Sequence, residues 1–122
     1  MIWSFKNNQP IYTQIIEFIK LRIISGYYPI GGRLPSVRDL ASEASVNPNT
    51  MQKALSELED IGLIYSQRTS GRFITENSNV ITDIRNQIAS NYIKEFLETM
   101  GNMGLKRKDI FELLTKNEED NL

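Results

Sequence analysis

Asn47 and Pro48 constrain this chain more than any other pair of neighbours. Proline disfavours the helical conformation in the residue before it, so no helix can run through Asn47. Proline is nevertheless well suited to the first position of a new helix, where its missing N–H would have had no partner. An asparagine held extended just ahead of it can accept a hydrogen bond from the next turn. The run V-N-P-N-T-M-Q-K-A-L therefore demands a helix start at Pro48 and a helix end just upstream. Met51, Ala54, Leu55, Leu58 and Ile61 then fall at three- and four-residue spacing as a buried stripe, and Gly62 supplies the stop.

The preceding element is short, because the Asn-Pro break comes so soon after it. Ser36 stands where its hydroxyl can cap the run VRDLASEA, and Asp39 completes an approximate capping box. Val37, Leu40, Ala41 and Ala44 would face inward. Further upstream, Ile11, Ile15, Phe18, Ile19, Ile23 and Ile24 recur at helical spacing with Gln14, Glu17, Lys20 and Arg22 between them, after Pro10 and before Gly26. The connector YYPIGGRLP, with its two prolines and two glycines, is expected to hold no regular structure. Three helices with a three- to four-residue turn between the second and third make a helix-turn-helix.

Beyond Gly62 the period changes. LIYSQ and RFIT are β-prone, and the turn chemistry of QRTSGR between them predicts a two-stranded hairpin beside the third helix, a wing. Residues 76–79, ENSN, form a polar link, with Asn79 or Thr82 as candidate cap for a fourth helix. Ile81, Ile84, Ile88, Tyr92, Phe96 and Met100 mark that helix as a long one, its face broadened by Ile93 and Leu97. The segment GNMG breaks it, and a short helix comes next on Ile110, Leu113 and Leu114, with NEEDNL expected to be solvated and frayed. The expected fold is mainly α with a small β-hairpin: a winged helix-turn-helix over residues 1–75 and a C-terminal two-helix segment over 76–122.

Composition removes most chemistry. The 122 residues include no cysteine and no histidine, which excludes disulfides, Cys/His zinc sites, thiol nucleophiles and histidine general-base catalysis. No cofactor and no metal is expected. Glu57, Glu59 and Asp60 lack a partnered base or a metal-ligand set, so they are taken as a solvated helix face rather than acid/base groups. No apolar run is long enough for a membrane span and no secretory leader opens the sequence, so a cytoplasmic protein is expected. Net charge is −1, but residues 1–75 carry eight Lys/Arg against six Asp/Glu, while residues 76–122 carry six against nine. An anionic partner would meet the first part.

That partner is suggested by the third helix. Asn49, Thr50, Gln52, Lys53 and Ser56 face away from the apolar stripe, and no carboxylate occurs from Asn47 to Ser56. In a helix-turn-helix the first turns of this helix meet base edges in the major groove. Asn and Gln can pair with adenine, Thr with phosphate or a thymine methyl, and Lys with phosphate or guanine. Arg33 and Arg38 flank the start of the second helix, whose N-terminus favours a phosphate. Arg68 and Arg72 bracket a small wing tip able to approach the minor groove. A docking module without DNA specificity is the alternative, disfavoured by the carboxylate-free face and its converging arginines.

The run GRLPSVRDLASEASVNPNTMQKALSELEDIGLIYSQRTSGRFI resembles the DNA-binding domain of GntR-type bacterial transcription regulators, with their Leu-Pro-Ser-x-Arg-x-Leu-Ala stretch, capped recognition helix and glycine-containing wing. The short two-helix tail is similar to that of the YtrA subfamily. The resemblance implies a cytoplasmic homodimer, nucleoid-associated when bound, that reads a two-fold operator and usually represses nearby genes. By motif match, DNA contact falls to Arg33, Ser36, Arg38, Asn47, Asn49, Thr50, Gln52 and Gly71, with Lys53, Arg68 and Arg72 added from their charge and position. The wing departs from the usual Gly-x-Gly-Thr-Phe-Val, so Arg72 is expected to supply a charge contact. Dimerisation is assigned to Ile84, Ile88, Tyr92, Phe96, Leu97 and Met100, an apolar face unsuited to water. Lys106 stands where a serine cap is common, so a frayed start to the last helix is expected. A small-molecule effector is left open; Trp3, Phe5, Tyr27 and Tyr28 are expected to serve packing.

Overall fold

The computed structural model describes residues 3–120. Its elements are α1 (Ile11–Ile24), α2 (Val37–Ala44), α3 (Pro48–Asp60), β1 (Ile64–Gln67), β2 (Gly71–Ile74), α4 (Ser78–Asn102) and α5 (Arg107–Asp120). They form two compact units, residues 1–84 and 85–122.

In the first unit α3 is the central helix, packed against α1, α2 and β1. Met51, Ala54, Leu55 and Leu58 are fully buried there, as the stripe predicts. Ile61 is not: it is 46% exposed, because it caps the helix where the chain turns away. Gly62, at φ 83°, makes that turn in the left-handed region that disfavours other residues. Leu63 takes the buried place instead.

The hairpin pairs Ile64 with Ile74, Tyr65 with Phe73, Ser66 with Arg72 and Gln67 with Gly71. The connector is more ordered than its prolines and glycines suggest. Leu34 N–H donates to the Arg72 carbonyl and Ile74 N–H to that of Gly32, both at 2.8 Å, and Arg33 bridges Phe73 in antiparallel fashion. The free edge of β2 accounts for this, since its unpaired amides and carbonyls are satisfied by whatever extended chain lies alongside.

In α1, Ile15, Ile16, Ile19 and Ile23 are buried, Ile11 is 45% exposed, and Arg22 is only 2% exposed. Arg22 donates to the Tyr28 hydroxyl at 2.6 Å and to Glu43 Oε1 at 2.9 Å. Its guanidinium carbon lies 4.6 Å from the ring centre of Phe18 and 4.5 Å from that of Tyr27. Trp3 stacks on Phe18 with centroids 4.0 Å apart, and its indole N–H reaches Glu43 at 2.8 Å. The aromatic residues thus serve packing, around a cation that periodicity alone assigns to the polar face. The Trp3 N–H first, and then Arg22, hold the Glu43 carboxyl below its ordinary range against the opposing effect of partial burial.

Helix α4 starts from a different cap than expected. Asn77 Oδ1 accepts from Asn79 N–H at 3.0 Å, two residues ahead of the first candidate. Val80, Ile81 and Ile84 are partly buried and pack on the first unit's core.

In the second unit the remaining part of α4 turns into α5 through Gly104. Ile110 is buried, whereas Tyr92, Ile93, Phe96, Phe111, Leu113 and Leu114 are exposed. Phe96, Ile110 and Leu114 separate two open apolar recesses of about 230 and 250 Å³. The start of α5 is not frayed: Asp109 Oδ2 accepts from Lys106 N–H at 2.9 Å, so a carboxylate three residues on replaces the missing serine. The helix continues through Asp120 rather than fraying at Asn117; Asn121 and Leu122 lie outside the described residues.

Candidate nucleic-acid interface

Each cap in the helix-turn-helix leaves a donor available. Ser36 Oγ accepts from Asp39 N–H at 3.1 Å, which occupies it as an acceptor and leaves its hydroxyl proton for another partner. Asn47 Oδ1 accepts from Asn49 N–H at 2.8 Å, leaving the amide NH2. Phosphate oxygens only accept, so both residues retain the function a phosphate needs. Between the helices, Ser45 lies in the left-handed region at φ 56°, and Val46 N–H closes the turn on the Ala41 carbonyl at 3.0 Å. A serine in this conformation costs about 1 kcal/mol relative to the right-handed basin. The tight turn that sets α3 against α2 imposes it.

On α3 the residues outside the apolar stripe divide by helical phase. Asn49, Gln52 and Ser56 share one face at three- and four-residue steps. Gln52 and Ser56 are linked by a long 3.4 Å hydrogen bond, weak enough for either to exchange it. Thr50 is half-buried at the edge of this face. Lys53, four residues after Asn49, borders this face and turns its ammonium toward α1, with Nζ 3.8 Å from the centre of the Tyr12 ring. The structure therefore brings Asn49, Gln52 and Ser56 together and draws the Lys53 ammonium toward Tyr12.

Arg38 and Arg68 are exposed and, among the described residues, make no side-chain hydrogen bond or ion pair. Arg33 is exposed too, with its guanidinium against the wing: a Cβ on Gly71 would sit 3.3 Å from Arg33 Nε. Gly71 has φ 100°, so backbone and space both favour glycine there.

Arg72 departs from expectation. Its Nε donates to Glu59 Oε1 at 2.6 Å, and Ser66 Oγ donates to the same oxygen at 2.6 Å. Glu59 is accordingly half-buried, not part of a solvated face. Burial raises its pKa, but the bonds from Ser66 and Arg72 outweigh that and hold the carboxyl below its ordinary range. Glu57 and Asp60 remain exposed. Among the described residues no acidic cluster could hold a metal ion, and no helix is long and apolar enough to cross a membrane.

Comparison with known proteins places this arrangement. The family model described as bacterial regulatory proteins, gntR family, matches residues 11–74. The HTH-type transcriptional repressor YtrA of Bacillus subtilis is 44% identical over 73 residues, 60% of this chain and 56% of YtrA. Among solved structures, a GntR family transcriptional regulator from Listeria monocytogenes superposes with TM-score 0.87 at 37% identity, covering 92% of this chain and 98% of that one. The DNA-binding domain of AraR in complex with operator ORX1 superposes with TM-score 0.55 at 27% identity, covering 59% of this chain and 93% of that one.

Proposed function

Since the chain belongs to the gntR family of bacterial regulatory proteins and is a DNA-binding transcriptional regulator of that type, we propose that it acts as a cytoplasmic homodimeric repressor reading a two-fold operator. The observation that carries this reading is the polar stripe of α3, with Asn49 and Gln52 exposed and Ser56 half-buried, together with the exposed Arg38 and Arg68 and the absence of any carboxylate from Asn47 to Ser56. In the major groove, Asn49 and Gln52 supply paired donor and acceptor groups for base edges, and Thr50 lies at the groove wall. Arg38, the Ser36 hydroxyl and the N-terminal N–H groups of α2 take phosphate, with the Asn47 amide beside them. Lys53 and Arg33 add backbone charge, and Arg68 with Gly71 carries the tip toward the minor groove.

The AraR complex supports the DNA-facing role, and the name of YtrA supports repression. Dimerisation is supported by Tyr92, Ile93 and Phe96, which are 66%, 56% and 41% exposed. Together with Ile88, Leu97, Met100 and the apolar side of α5, they form a face that water disfavours and a symmetric copy would cover. Two heads joined this way read half-sites about one helical turn, or a multiple of it, apart. The test is genomic-fragment selection with purified protein, then footprinting and sedimentation. A symmetric footprint from a dimer is expected. A monomer at micromolar concentration, or no enrichment over scrambled duplex at low salt, removes the reading.

A further inference from the structure

The reading face of α3 does not run out into solvent at its C-terminal end. From Asn49, Gln52 and Ser56 the next step of three reaches Glu59 on the same face. There the wing begins. One oxygen of Glu59 accepts from Ser66 on β1 and from Arg72 on β2, and these two residues are opposed partners across the hairpin. A single carboxylate thus grips one rung of the wing from the side of the recognition helix.

That rung already has one backbone tie, from Leu34 N–H to the Arg72 carbonyl at 2.8 Å, and the carboxylate adds a side-chain tie from α3. The hairpin's inner end is held by the buried Ile64 and Ile74, while Ser66, Gln67 and Gly71 farther out are exposed. The side chains of Arg72 and Glu59 are only 20% and 30% exposed. A short, charge-assisted bond in that setting is stronger and more directional than a surface ion pair.

We infer that Glu59 is the positioning residue of the wing: through Arg72 and Ser66 it fixes the angle at which the tip carrying Arg68 meets the duplex read by Asn49 and Gln52. Arg72 then serves the brace and not phosphate. This rests on the DNA-reading role proposed above for α3 and the wing. The competing possibility has the opposite sign. If Arg72 were a phosphate contact that Glu59 withholds, releasing it would tighten binding.

The test uses the full chain and the near-isosteric Glu59→Gln, with Arg72→Ala as the second variant. In free protein, amide hydrogen exchange at Gln67–Gly71 should quicken roughly three- to tenfold in both, the worth of one net hydrogen bond, with α1–α3 unchanged. On the fragment that wild-type protein selects, hydroxyl-radical protection at the outer minor-groove positions should fade while the central protections persist. Combining the substitutions should cost less than the sum of the two single losses, since both remove the Glu59–Arg72 bond. Unchanged hairpin exchange in both variants overturns the inference, as does tighter binding by Glu59→Gln with outer protection intact, or additive losses. If wild-type protein selects no fragment, the DNA reading fails and the exchange measurement still decides the brace.

Discussion

Replacing Arg38 by alanine should flatten the salt dependence of operator binding by an amount the structure sets. The exposed cations around the reading face are Arg33, Arg38, Lys53 and Arg68; Arg72 is excluded because Glu59 holds it. A dimer would therefore neutralise about eight phosphates, giving a slope of log K against log[salt] of about −7. Removing Arg38 from both heads brings the slope to about −5. Between about 50 and 200 mM salt, wild-type affinity should fall roughly 10⁴-fold and that of the variant roughly 10³-fold. The loss should be similar on every sequence, because a phosphate contact carries no base information. Fluorescence anisotropy on a labelled duplex across a salt series measures this directly. An unchanged slope for Arg38→Ala would refute the phosphate role, and equal flattening by Arg72→Ala would refute the exclusion of Arg72.

The packing sets three further outcomes. Arg22→Ala should destabilise the first unit by about 3 kcal/mol in urea unfolding, since it strips a buried cation from Tyr28, Glu43 and the surrounding rings; Arg22→Met, which refills the space, should recover most of that loss. Tyr92→Asp should give a monomer in sedimentation equilibrium with its helical circular dichroism retained, because Tyr92 is 66% exposed and a charge on that apolar face of α4 opposes pairing. Glu43 and Glu59 both have folded-state pKa values below their unfolded ones, so their contribution is present above the unfolded value and lost as pH falls through the folded one; thermal stability should drop below about pH 4, and Glu43→Gln should blunt that drop.

The elements that local chemistry decides were legible from the chain alone. Asn47 and Pro48 define the start of α3, and the oxygen of Asn47 makes the expected bond. Ser36 caps α2 in the same way. The hairpin is dictated by two β-prone runs around a Ser-Gly turn. The features that escaped were decided by partners distant in sequence. Arg22 falls on the polar side of α1 by periodicity and is buried because Trp3 and Glu43 close over it from elsewhere in the chain. Glu59 looked like one of three solvated carboxylates until the hairpin folded back on it. Arg33 sat in a connector marked by glycine and proline, yet the free edge of β2 organised it. Even a local feature was missed at α5, where Asp109 reaches back to Lys106 N–H: the cap is the second half of a box whose first residue is absent. Among the candidate interface residues the sequence shows the types but not their engagement, which separates Arg38 and Arg68, without a side-chain partner among the described residues, from the braced Arg72.

The most direct test of the account compares the sequences enriched from a random duplex library by wild-type protein and by Gln52→Ala. Wild-type protein should enrich a two-fold motif, and the variant should enrich the same motif with one position relaxed in each half, as expected when a single base-edge contact is removed. An identical motif from both proteins, or none from the wild type, would contradict the claim that the face just after Pro48 reads the groove.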